Sequence, residues 1–403
     1  MKRFLLMLLT LALALAACEQ EAITEESTES HEQAESSKEI IEIESSSASE
    51  NAESSALTES EESKTSSVEQ TKGYELMLEL TLEEKVGQLF LAAFPDVGAK
   101  EYINEYKLGG FIMFAREFRN NTPEGIRETV DSLQSAADIP LLFAVDEEGG
   151  DVCRISAFTQ YREKRFYSPR YLYSHGGIDA IRESEKEKCA LLGSLGINVN
   201  MAPVCDITTE KGAFMYNRSL GQDAETTSEF VRSVIDTTDS YNIGNVLKHF
   251  PGYGNNDDTH TGIAIDQRSL EELESVDIIP FKAGVEAGCG AILVSHTVIE
   301  CMDNDLPASL SPEVNRYIRE NLGFDGVLVT DDLSMQAITD RYGDGEAAIL
   351  AVIAGNDLIC CSKYKTAYTA VLNAVRDGRI SEEQINKACA RVLDWKYKIG
   401  IIE

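Results

Sequence analysis

The chain is short of positive charge: 36 Lys and Arg stand against 69 Asp and Glu over 403 residues, for a formal net charge of −33. So acidic a surface repels phosphate backbones and anionic headgroups, which argues against nucleic acid or anionic lipid as partners. There is no CxxC pair and no cluster of His and Cys at ligand spacing, so no metal and no cofactor is expected. Cys18 apart, the cysteines are scattered from Cys153 to Cys389. A core of this size does not depend on disulfides, and they read as mostly buried free thiols. The longest apolar run, Phe4 to Ala17 with Thr10 inside it, falls well short of the roughly 20 residues that a membrane-spanning helix needs.

That short run follows Lys2 and Arg3 and ends in Leu15-Ala16-Ala17-Cys18, which predicts a signal peptide over 1–17. The ending resembles a bacterial lipobox. The resemblance implies cleavage before Cys18, a diacylglycerol thioether on its sulfur, and an extracytoplasmic protein held to the cell membrane by lipid. From 18 to 72 the chain is dominated by Glu, Ser, Thr, Gln and Ala, with sixteen Glu, three Lys and no aromatic residue. Such a segment cannot bury enough apolar surface to offset its ordering entropy, so it is expected to be a disordered tether. Taking +2 for the leader and −13 for the tether from −33 leaves −22 on residues 73–403. That last stretch is expected to be one domain.

Eight short apolar runs follow, at 87–94, 110–114, 140–145, 198–204, 245–249, 290–296, 326–330 and 357–361. Amphipathic stretches separate them at 123–137, 178–195, 226–241, 270–287, 312–322, 345–354 and 366–376. Strands alternating with helices imply a parallel sheet, and eight repeats in about 330 residues predict a closed α/β (β/α)8 TIM barrel. An open doubly wound sheet is the rival. In a barrel the chemistry collects at the C-terminal ends of the strands. Asp146 follows the third run, Pro203 and Asp206 the fourth, Lys248 and His249 end the fifth, Ser295 and His296 the sixth, and Asp331 follows the seventh.

Four spaced motifs carry a resemblance: Val145-Asp146-Glu147-Glu148-Gly149-Gly150 with Arg154; Asn217-Arg218-Ser219; Lys248-His249-Phe250-Pro251-Gly252; and Gly326-Val327-Leu328-Val329-Thr330-Asp331-Asp332. Together with Leu80-Thr81-Leu82-Glu83-Glu84 they resemble glycoside hydrolase family 3 from Leu80 to about Lys398, and within it the single-domain bacterial β-N-acetylhexosaminidases. The resemblance makes Asp331 the nucleophile of a retaining mechanism, a role that needs a carboxylate beside the anomeric carbon. Asp332, the next residue of an extended segment, should face away. Many members of the larger family take their acid/base from a glutamate on a second domain. In the hexosaminidase branch an Asp-x-His pair serves instead, and Asp258-Thr259-His260 matches it. Histidine titrates near neutrality and can donate a proton and then accept one, with Asp258 orienting the ring. Sugar contacts are implied for Asp146, Arg154, Arg218, Lys248 and His249, with His296 a supporting or subsite residue.

The implied activity is exo-cleavage of terminal β-linked GlcNAc from peptidoglycan fragments or chitooligosaccharides. A phosphorylase of the same branch, a β-glucosidase and a sugar-binding lipoprotein without catalysis are the alternatives, and a monomer is favoured. Three departures from the family pattern stand out: Tyr253 where a histidine is common, a segment 254–258 shorter by one residue, and Glu147 in place of an amide or histidine, which is expected to alter charge near the sugar subsite.

Overall fold

The computed structural model describes residues 71–403 apart from 257, 260 and 261. The leader, Cys18, nearly all of the tether and His260 therefore lie outside the described residues. Eight strands form one all-parallel sheet: β1 Phe90–Ala93, β2 Gly110–Met113, β3 Leu142–Val145, β4 Val199–Asn200, β5 Gly244–Phe250, β6 Ala291–Val294, β7 Val327–Thr330 and β8 Ile359–Cys361. Their spatial order is β7-β6-β5-β4-β3-β2-β1-β8. The two edges meet where Val329 pairs with Leu358, with the Thr330 amide donating to Leu358 O at 3.1 Å. The sheet is thus closed, and it excludes the open doubly wound alternative.

Side chains alternate across the barrel wall, as the period of two requires. Leu91, Ile112, Leu142, Ala144, Val246, Leu293, Val327 and Val329 fill the interior. Their neighbours Phe90, Phe111 and Phe143 face the helices on one flank, and Leu247, Ile292 and Leu328 those on the other. Helix Glu382–Lys398 sends Val392 and Trp395 into the same interior cluster. Trp395 reaches the starts of β5 and β6: a side chain at Gly244 would meet its ring at 2.9 Å, so only glycine fits there. One end of the barrel is filled in this way, and the strand C-termini remain for the site.

Two boundaries differ from the sequence expectation. The run 87–94 is not all strand, because Thr81 and Glu84 form a capping box that starts helix Leu82–Gln88, and β1 begins only at Phe90. The stretch 270–287 is two helices, Leu270–Ser275 and Ile278–Glu286. The backbone leaves helical geometry at Val276, and Asp277, the cap of the second helix, is buried and accepts from Arg268 Nη1 at 2.6 Å. Among the described residues no helix is long and apolar enough to cross a membrane. The eight described cysteines are unpaired and all but Cys301 are buried.

Candidate active site

Strand parity aims the site residues. Asp146 continues the inward row of Leu142 and Ala144, Lys248 that of Val246, and Asp331 that of Val327 and Val329. Three charged side chains are therefore directed into the mouth by the same alternation that fills the barrel below them. Asp332 has the opposite parity. Its carboxylate accepts from the amides of Ser334 at 2.9 Å and Ser362 at 3.3 Å and from Ser362 Oγ at 2.9 Å, so it ties the β7 loop to the β8 loop. Asp331 Oδ1 accepts from the Asp332 amide at 2.9 Å, which fixes the carboxyl plane. His296 Nε2 donates to Asp332 O at 3.0 Å, while its Nδ1 lies 2.7 Å from Ser309 Oγ; a carbonyl can only accept, which sets this tautomer. His296 is wholly buried and holds the backbone carbonyl of Asp332, beside Asp331.

A connected polar network lines the β3, β4 and β5 side. Lys248 Nζ donates to Asp146 Oδ1 at 2.8 Å and pairs with Glu148 Oε1 at 2.6 Å. Arg218 forks onto Glu148, with Nε to Oε2 at 3.0 Å and Nη2 to Oε1 at 2.7 Å. Burial opposes ionisation of Glu148, but the charges of Arg218 and Lys248 outweigh it and hold its carboxyl well below the usual carboxylate range. Burial likewise opposes charge on Lys248, yet Asp146 and Glu148 raise its pKa. Arg218 Nη2 also donates to His249 Nε2 at 3.1 Å, which makes Nδ1 the protonated nitrogen, and that N–H donates to Asp206 Oδ2 at 2.8 Å. Arg154 Nη2 reaches Asp146 Oδ2 at 3.5 Å, and among the described residues its buried Nε has no partner.

The structure therefore joins Asp146, Arg154, Arg218, Lys248 and His249 into one cluster, and adds two more: Glu148, to which the sequence gave no role of its own, and Asp206, which it marked only as a polar strand end. Glu148 is the hub of the cluster. Its signal was present as the second acid of Asp146-Glu147-Glu148, but nothing in sequence tells which of two adjacent acids turns toward a lysine a hundred residues away. Asp206 holds the start of the β5 loop, accepting from the amides of His249 at 3.2 Å and Tyr253 at 2.7 Å. Glu147 corrects the expectation that it alters charge near a sugar: it is fully buried and accepts from the amides of Arg154 and Ile155 at 2.8 Å, from the Ser156 amide at 3.2 Å, and from Ser156 Oγ. Its carboxylate is used to fold the loop that presents Arg154.

Asp331 and this cluster face one space. Burial raises the Cys360 thiol well above its usual range, and the charges of Asp332, Asp331 and Asp146 all add to the effect. Asp258 stands at the edge of a cleft of about 410 Å³ with Phe214 and Asn255. A second cleft of about 470 Å³ lies over the ends of β8, β1 and β2, with Phe94, Phe114, Tyr102, Arg116, Lys363 and Lys365 among its walls. Its Ser362 is the residue that binds Asp332.

A parallel barrel with a carboxylate, a buried Lys–Glu–Arg cluster and a β5 loop at its open end is a recognisable arrangement, and the family model described as glycosyl hydrolase family 3 N terminal domain matches residues 81–395. The chain belongs to glycosyl hydrolase family 3. Among similar proteins, beta-hexosaminidase A of Pseudoalteromonas piscicida is 28% identical over 334 residues, covering 74% of this chain and 55% of that protein. The beta-hexosaminidase of Xanthomonas euvesicatoria pv. vesicatoria is 28% identical over 264 residues, covering 64% of this chain and 78% of the relative. A solved family 3 beta-N-acetylglucosaminidase from Paenibacillus sp. superposes with a TM-score of 0.75 at 34% identity, covering 80% of this chain and 63% of that one. The chain thus spans little more than half of the first relative's length and under two thirds of the Paenibacillus enzyme's.

Proposed function

We propose that this protein is a retaining exo-β-N-acetylglucosaminidase. The observation that carries the reading is the inward row of Asp331, Asp146 and Lys248 at one barrel mouth, with Glu148 and Arg218 locking the lysine in place. The names of the relatives support the choice of sugar. In the first step an Asp331 oxygen bonds to the anomeric carbon while the bond to the leaving oxygen breaks, and His260 gives that oxygen its proton. In the second, a water oxygen bonds to the same carbon, its proton passes to His260, and the Asp331 carboxylate is released. Asp258 orients the imidazole. Asp146, Arg154, Lys248, Arg218 and His249 hold the hydroxyls and the amide carbonyl of the sugar, with arginine and lysine donating and Asp146 accepting.

The natural substrate in this reading is a peptidoglycan fragment, met on the outer side of the membrane to which a lipid on Cys18 tethers the chain. In the cleft beside Asp332, Arg116 is paired with Glu117, and the two lysines Lys363 and Lys365 stand against Asp96. On a chain of net charge −33, that local excess favours a carboxylate-bearing glycan over neutral chitooligosaccharides. Hydrolysis of aryl β-GlcNAc and aryl β-glucoside, with Asp331→Ala as control and with or without phosphate, tests the reading. GlcNAc-selective release that the substitution abolishes supports it. Sugar phosphate among the products replaces it with a phosphorylase, and preference for the glucoside overturns the choice of sugar.

A further inference from the structure

We infer that Tyr253 is a positioning residue for the acid/base pair, an inference that rests on the reading of Asp258 and His260 given above. Tyr253 is 2% exposed, and its hydroxyl lies 2.5 Å from Oγ1 of the fully buried Thr259, the residue between Asp258 and His260. Thr259 is gripped from a second side, because the Ala337 amide, six residues beyond Asp331, donates to its carbonyl at 3.3 Å. The middle of the acid/base triplet is thus pinned between the loop after β5 and the loop that carries the nucleophile. The Tyr253 ring cannot swing away from this contact. It stands edge-on to His249 at 5.3 Å and to Phe214 at 5.6 Å, and its own amide is held by Asp206 at 2.7 Å.

The phenol also senses the nucleophile: burial raises its pKa, and the Asp331 charge is the next largest cause. It therefore stays protonated and supplies a fixed hydroxyl. A histidine, the common residue at this position in the family pattern, is shorter than tyrosine. The longer phenol reaches Thr259 in a loop that is itself one residue shorter, so two of the sequence departures fit each other.

The hydroxyl touches neither sugar nor leaving group in this scheme. Its effect passes through Thr259, and it should matter only when protonation of the leaving oxygen limits the rate. The test is kcat/KM for a series of aryl β-GlcNAc substrates of rising leaving-group pKa, with wild type, Tyr253→Phe, Thr259→Val, the double variant and His260→Ala. For Tyr253→Phe the expected result is a fall of about tenfold on the poorest leaving groups and less than about twofold on dinitrophenyl, a fraction of the acid/base contribution. Thr259→Val should match it, and the double variant should be no worse than either single one. A uniform fall across the series, or no change, overturns the inference while leaving the acid/base reading in place if His260→Ala is steep. A flat His260→Ala profile sinks that reading and the inference with it, as does a folded wild type that hydrolyses none of the series.

Discussion

Lys396 sits in helix Glu382–Lys398 with no solvent exposure. Its ammonium donates to Gln88 Oε1 at 2.7 Å, and among the described residues it has no carboxylate partner. Burial lowers its pKa from 10.5 to about 7, with only the nearby Cys389 acting in the opposite direction. The folded pKa is thus depressed below the unfolded one, so between the two values the unfolded chain binds more protons and stability rises with pH. At about 1.36 kcal/mol per pKa unit, the cost of the charged lysine approaches roughly 5 kcal/mol at or below about pH 6 and falls to about 2 kcal/mol near pH 9. Lys396→Met removes this cost but leaves the Gln88 oxygen without its donor, a penalty of about 1–3 kcal/mol that does not vary with pH. The advantage of the variant over wild type should therefore shrink by about 2–3 kcal/mol between about pH 6 and 9. Urea unfolding of both proteins at the two pH values measures it. A stability difference that stays constant with pH would refute the reasoning, because it would mean that the lysine keeps one protonation state in the fold.

Asp331→Ala should abolish turnover of aryl β-GlcNAc, with the thermal transition measured alongside to show that the variant is folded. Glu148→Gln strips the buried Lys248 and Arg218 of their shared counter-charge; removing one partner of such a cluster costs roughly 3–5 kcal/mol in denaturant unfolding. The same carboxyl, held below its usual range, contributes stability above the unfolded pKa that is lost as pH falls below about 4.5. The variant should accordingly show a shallower loss of stability than wild type on acid titration. Trp395→Ala empties the closed end of the barrel and should cost about 3–5 kcal/mol in the same unfolding assay without changing KM for an aryl substrate.

Much of the architecture was readable in one dimension, because each barrel strand is a short apolar run whose alternate residues must face two different apolar layers. The eight runs sit where the strands are, and the parity of 327, 329 and 331 already aims Asp331 inward. Boundaries set by local backbone and capping were less visible: the Thr81–Glu84 box turned the start of the first run into helix, and a non-helical turn at Val276 cut one helix into two. The closing helix at 382–398 carries no motif that marks its task, since that task is defined by Trp395 meeting Gly244 and Gly290, far away in the chain.

Sequence by itself determined the barrel, the family and the identity of the polar residues at the strand ends, for these follow from local periodicity and from motifs a few residues long. Tertiary structure decided what those residues do to one another. It made Glu148 and not Glu147 the counter-charge of Lys248, spent Glu147 on a loop, turned His296 toward a backbone carbonyl, and set Tyr253 under Thr259. Charge and hydrogen bonding act through distance in space, and contacts such as that between Lys248 and Asp146, 102 residues apart, exist only once the barrel has closed.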